Sequence, residues 1–334
     1  MNGISEQPAS EIAPRPTFTQ IIRRWAQPVL AIPTPIIFVA AAFIAGLLLW
    51  RQGSLGGVGE SLRGVSPVQS AAVLITYAAS ILVLGVRWHV LTRMAGGAPA
   101  WTSSAEVFMT SVIVNYAAPI GLAVPTRAAL TVRDLGLSPI QSGAVVGWEL
   151  ALDIIALMAI STLWLGLGGV ELLGSISVDN EFVAIGAVLL ALALGGVILL
   201  SRVTAIRSRV PTILRPMYRD PLRQPARALL AVALTALFWT MQMGVMASLL
   251  GAFGVVPTPP LVAGLMGLPV LIGMLSPIPG GAGVREALMA AMARLEGSPA
   301  APVILAAVTY RIVLFIVTPI VWGALRLARA RLRG

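Results

Sequence analysis

The stretch "EFVAIGAVLLALALGGVILL" (181–200) carries one charge, at its first position, and none after it. As a helix rising 1.5 Å per residue it covers roughly 30 Å, the thickness of a bilayer's hydrocarbon core. A second block of the same kind, "PIIFVAAAFIAGLLLW", fills 35–50. In lipid every backbone N–H and C=O must find its partner within the protein, so such blocks fold as helices. Charged residues make up 11% of the chain, against roughly 25% in an ordinary soluble domain. The apolar blocks are therefore the body of the protein, and the sequence predicts an all-α polytopic membrane protein.

Six full spans are expected, at 31–50, 68–91, 139–166, 181–200, 226–250 and 300–325. Two more apolar segments, 101–135 and 258–296, are interrupted by proline and glycine and are read as broken re-entrant helical hairpins. Together they form one transmembrane domain over 31–327. A flexible cytoplasmic tail (1–30) precedes it and a short basic cytoplasmic tail (328–334) follows it. Arginines mark the cytoplasmic side. They include Arg23, Arg24, Arg87 and Arg93, then Arg202, Arg207, Arg209, Arg215, Arg219, Arg223 and Arg227 in one loop, and Arg326, Arg329, Arg331 and Arg333 at the end. The opposite connections at 167–180 and 251–257 have no arginine; only 51–67, with Arg51 and Arg63, breaks the pattern. Both termini are placed in the cytoplasm, and the protein in the cell inner (plasma) membrane.

Several chemistries are excluded. There is no cysteine, and His89 is the one histidine, so thiolate catalysis, metal clusters and Ser-His-Asp triads lack their residues. All 23 basic residues are arginine, which removes Schiff-base lysine chemistry. No phosphate-binding P-loop is present; "GGVGESLRG" (56–64) lacks the closing Gly-Lys-Ser/Thr and reads as a loop. No cofactor or metal is expected. The net charge of +10 follows from topology, and nucleic acid is not an expected partner. His89 reads as an interfacial residue, and the methionines and the tryptophans at span ends as packing and interface belts.

The two interrupted segments resemble each other. Pro119-Ile120 matches Pro277-Ile278, Arg127 and Arg285 each follow eight residues after their proline, and Ser138-Pro139 matches Ser298-Pro299. Each pair precedes a long apolar helix. The repeat units run over about 101–166 and 258–325. Three spans separate them, so they point oppositely through the membrane, as in transporters whose broken helices meet near the midplane. In the second unit Pro277 and Pro279 end one half-helix. Gly280, Gly281 and Gly283 allow a tight turn, and "VREALMAAMARLE" begins with free N–H groups turned inward. That end, with Arg285 in its first turn, suits an anion.

Ionisable side chains at membrane depth are costly and usually face a bundle interior or cavity. Here they are Glu106, Arg127, Glu149, Asp153, Arg285, Glu286 and Arg311. Glu149 and Asp153 are four apart and lie on one helix face. Two readings stand side by side: buried pairs that lock helices together, or a site whose arginines, with Gly280, Gly281 and Asn115, meet a phosphate. Glu149, Asp153, Glu286 and Glu106 would then hold the arginines or couple protons.

"PIPGGAGVREALM" followed by a last span containing "YR" resembles the lysylphosphatidylglycerol synthase transmembrane-region family, flippase-like membrane proteins. The first unit, with Asn115, Arg127 and "WELALD", looks like that family's earlier half-motif. The resemblance covers about 35–327. In bifunctional relatives a soluble aminoacyl-transferase domain follows, and the resemblance here implies the lipid-handling part alone. Val124-Pro125 stands where relatives often carry Gly-Glu, and Leu150 where an arginine often follows the glutamate. That asymmetry favours Glu286 as the principal hairpin carboxylate.

The expected function is translocation of an anionic lipid or lipid-linked phosphate between leaflets, the headgroup held by Arg285, Arg127 and Arg311. A separate biosynthetic enzyme is a possible partner. The rival is a membrane-embedded transferase, or its partner subunit, in which Glu286 or Asp153 acts as a general base. A pure scaffold accounts for the spans and leaves the charged, broken repeat unexplained.

Overall fold

The computed structural model describes residues 66–117, 120–169, 210–276, 281 and 283–331. The expected spans 31–50 and 181–200, the 1–30 tail, most of the 51–67 connection, Gly280 and the side chain of Asn115 lie outside the described residues. Everything described is helix or connecting turn. In chain order the helices are α1 (Pro67–Met94), α2 (Trp101–Ala117), α3 (Ile120–Leu135), α4 (Pro139–Trp164) and α5 (Val210–Arg223). They continue with α6 (Pro225–Ala252), α7 (Pro259–Met266), α8 (Leu268–Leu275), α9 (Val284–Leu295) and α10 (Ala300–Arg331). Four are long and apolar enough to cross a membrane: α1, α4 with its one-turn π-helical extension to Gly169, α6 and α10. They fall on four of the six expected spans.

Helix ends follow the local sequence. Pro occupies the first turn of α1, α4, α6 and α7, where its missing N–H costs nothing. Ser138 caps α4 in a reciprocal box: its hydroxyl accepts from the Gln141 N–H at 3.3 Å, and the Gln141 side-chain oxygen accepts from the Ser138 N–H at 2.9 Å. Gln141 also donates to the Ala95 carbonyl, Gln224 to the Met94 carbonyl, and Arg227 to the Arg93 carbonyl. The last carbonyls of α1, left without intrahelical donors, are thus covered by side chains from α4 and from the start of α6.

Helix α1 sits centrally and packs against α2, α4, α6 and α10. Small residues bring it close to α2: a Cβ placed on Gly85 would lie 3.0 Å from that of Ala105. Such close approach is how helices associate where lipid supplies no hydrophobic drive. The outer faces carry large apolar side chains, among them Ile75, Ile155, Leu229 and Ile320.

Both interrupted segments fold back on themselves. Arg127 on α3 donates to Ser111 on α2 at 2.8 Å, a separation that one continuous helix would stretch to about 24 Å. The chain therefore reverses between α2 and α3. In the second segment α8 and α9 close on each other through glycine. A Cβ on Gly273 would stand 3.1 Å from the Arg285 Cβ, and one on Gly281, whose φ is +65°, would stand 2.5 Å from the Gly273 carbonyl oxygen. The entering arm of this segment is also bent at Gly267, splitting it into α7 and α8. The 201–227 stretch, read from sequence as an arginine loop, contains α5. Trp148 donates to the Met217 carbonyl at 2.9 Å, which docks α5 on α4 in spite of Pro216 and Pro221 within it.

The two ends of the bundle differ. One gathers Arg93, Ala95, Gln141, Gln224 and Arg227, together with Glu106 and its partners Arg326 and Arg329. The other gathers Trp164, Gly264 and Glu296, with Trp164 donating to Glu296 at 2.7 Å. Arginine is concentrated at the first.

Candidate functional site

The charged residues singled out from sequence fall into three groups. In the first, helices α1, α3 and α4 bring together Arg87, Arg127, Glu149 and Asp153. Arg87 forks onto Asp153 with two bonds, of 2.6 and 2.9 Å, and also donates to Thr235 at 3.2 Å. Glu149 lies between two arginines, with one oxygen paired to Arg127 and the other 3.7 Å from Arg87. Trp239 donates to Asp153 at 3.1 Å. The Arg127 guanidinium lies 5.8 Å from the centroid of Trp88 and 5.4 Å from that of Phe108. Arg87 is 1% exposed and Glu149 3%. Two cations meet two carboxylates here, so the network is neutral, as burial demands.

In the second group, α9 and α10 supply Arg285, Glu286, Tyr310 and Arg311. Glu286 accepts from the Gly283 N–H at 2.7 Å, tying down the start of α9, and pairs with Arg311 at 3.2 Å. Arg285 is 6% exposed and stands over Tyr310, its guanidinium carbon 4.9 Å from the ring centroid. Tyr310 in turn meets Tyr77 of α1 edge to face at 5.6 Å. Among the described residues no carboxylate lies within ion-pair distance of Arg285, and its Nη2 is buried without a hydrogen-bond partner. Gly281, on the turn before α9, leaves no room for a side chain against Gly273.

The third group is Glu106 on α2, held by Arg326 at 3.3 Å and Arg329 at 2.9 Å from the end of α10. These arginines, read from sequence as topological markers, fasten the first hairpin to the last span.

The first two groups are separate. Tyr77 and Arg87 are ten residues apart on α1, about 15 Å along its axis, and each touches a different group. Arg127 has its partner in the first group, at Glu149, while Arg285 and Arg311 have theirs in the second, at Tyr310 and Glu286. Arg87, assigned from sequence to the cytoplasmic rim, is a full member of the first network. Its signal was the three residues "VLT" that continue α1 beyond His89 before Arg93 is reached. Trp88, Trp148, Trp164 and Trp239 are buried, and three of them donate inside the bundle. His89 lies 3.3 Å from Ser104, bridging α1 and α2.

Four long apolar helices and two fold-back hairpins define a helical integral membrane protein. The chain belongs to the lysylphosphatidylglycerol synthase TM region family, which it matches over residues 37–323. The resemblance read from the hairpin and "YR" motifs is thereby established. Comparisons with curated proteins and with solved structures gave no match.

Proposed function

We propose that the protein moves an anionic lipid or lipid-linked phosphate between the leaflets of the cell's inner membrane, with its termini in the cytoplasm. Arg285 is the observation that carries this reading. Its counterpart in the first unit, Arg127, is neutralised by Glu149, and Arg311 is engaged by Glu286. Arg285 alone of these three has stacking to Tyr310 and no carboxylate among the described residues. A buried cation left this way is unfavourable unless an anion completes it. The two units, joined as an inverted pair with re-entrant hairpins, would expose this cation alternately to each side. Arg127 and Arg311 act in this reading as positioned partners within the units and not as direct headgroup ligands.

The transferase alternative has less support, because Glu149, Asp153, Glu286 and Glu106 are each paired with arginine. A carboxylate engaged in this way would have to leave its arginine before it could take a proton from a substrate.

The test is leaflet exchange in proteoliposomes with acyl-labelled anionic lipids and a membrane-impermeant quencher. Wild type should accelerate exchange of one lipid class without changing its mass, and Arg285→Ala should return the rate to that of protein-free vesicles. Normal exchange by the variant would remove Arg285 from the mechanism. A new lipid mass with added donors would mark an enzyme.

A further inference from the structure

Resting on the reading of Arg285 as the headgroup cation, we infer that the second hairpin selects a headgroup of one negative charge, a phosphodiester, and rejects a doubly charged phosphomonoester. The inference comes from charge balance around two buried guanidiniums, Arg285 at 6% and Arg311 at 4% exposure. Around the start of α9 stand two cations, Arg285 and Arg311, and one carboxylate, Glu286. Among the described residues one positive charge is left over. In low dielectric each uncompensated charge is costly, so the occupant that neutralises the site is a monoanion, and a dianion would leave a negative charge behind. The first unit supports the same rule: its two cations and two carboxylates balance.

The geometry favours a phosphodiester among monoanions. The Arg285 guanidinium carbon stands 4.9 Å from the Tyr310 ring centroid, and a guanidinium offers its hydrogen bonds in its own plane, along the edge of the fork. Two non-bridging phosphate oxygens match that edge. Nη2 is buried and unsatisfied, so a donor already waits there. The N–H groups opening α9 add partial positive character, while Glu286 has taken that of Gly283.

Retention of acyl-labelled lipid by the purified full-length protein after gel filtration tests this. Phosphatidylethanol supplies the singly charged diester. Phosphatidic acid supplies a monoester whose second ionisation falls near pH 6, giving about one charge at pH 5 and nearly two at pH 8. Wild type should retain the diester equally at both pH values, and phosphatidic acid about tenfold less at pH 8 than at pH 5. Arg285→Ala should lose the diester. Glu286→Gln, which raises the site to two positive charges, should gain phosphatidic acid at pH 8. Arg285→Lys keeps the charge, so it should keep the headgroup order with weaker retention, and it carries the comparison if the alanine variant does not fold.

Equal retention of phosphatidic acid and the diester by wild type at pH 8 would overturn the inference, as would diester retention unaffected by Arg285→Ala. If the diester binds through Arg285 yet never crosses in proteoliposomes, the translocase reading falls and the charge rule stands. If both lipids cross while phosphatidic acid is held fully at pH 8, the rule falls and the translocase reading stands.

Discussion

Glu149 shows how tightly a single residue is constrained in this bundle. One oxygen answers Arg127 from the first hairpin, the other faces Arg87 from α1, and Asp153 one turn on completes the balance. Removing one partner of such a set leaves a buried charge with nothing to meet it. Asp153→Ala should therefore cost about 3 kcal/mol, read as a lower melting temperature in detergent, and Arg87→Met with Asp153→Met should recover much of it. An unchanged melting temperature for the single variant would mean that Arg87 is not held by Asp153. The carboxylates were visible in the sequence because "WELALD" puts charge inside an apolar helix at helical spacing. Arg87 was not, because an arginine seven residues before a helix end, with Arg93 close behind it, satisfies the rule for a cytoplasmic rim equally well. Only the three-dimensional neighbours Thr235 and Trp239, from a helix almost 150 residues later, separate the two meanings.

At the scale of elements, proline and glycine punctuation carried most of the fold. Ser138-Pro139 and Thr258-Pro259 begin helices where a capping side chain followed by proline predicts a start. The bend at Gly267 lay hidden within one expected arm, although Pro269, two residues on, is its local trace. It seats α7 against α4, where a Cβ on Gly267 would come within 2.7 Å of Ser161 Oγ. The helix within 210–223 was missed for the opposite reason: three prolines outweighed a docking contact that only tertiary structure supplies. The contact between α1 and α2 lends itself to a direct check, since the chain has no native cysteine to compete. Gly85→Cys with Ala105→Cys should form a disulfide on mild oxidation, as close Cβ atoms require. A failure to cross-link, with both thiols reactive in the reduced protein, would contradict the α1–α2 packing.

At the scale of the whole molecule, the described residues place an arginine-rich set of helix ends opposite the end holding Trp164 and Glu296. That polarity yields an accessibility experiment for the proposed sidedness. Ala98→Cys, in the exposed turn after α1, should react with an impermeant maleimide only in inside-out vesicles. Val256→Cys, 75% exposed in the turn after α6, should react only in right-side-out ones. Labelling of both from one side would overturn the topology, and an exchange of the two would reverse the orientation. The proposed inverted relation of the two units rests on aligned motifs. Its geometric counterpart turns on span 181–200, outside the described residues. The chemical inequality of the units was legible only in part. Sequence pointed to Glu286 as the distinctive carboxylate, while the cation it leaves unanswered, Arg285, emerged from the pairing of Glu286 with Arg311.

The inward tryptophans give the protein a built-in optical readout. Trp88 lies under the Arg127 guanidinium and Trp239 donates to Asp153, so two indoles sit at opposite edges of one charged network. An indole's emission colour depends on the electric field across its ring, and here that field is set by salt bridges a few ångströms away. Any step that parts Arg127 from Glu149, or Arg87 from Asp153, will register as a spectral shift without an added dye. Rearrangement of this charged network can be followed in the protein's own ultraviolet light.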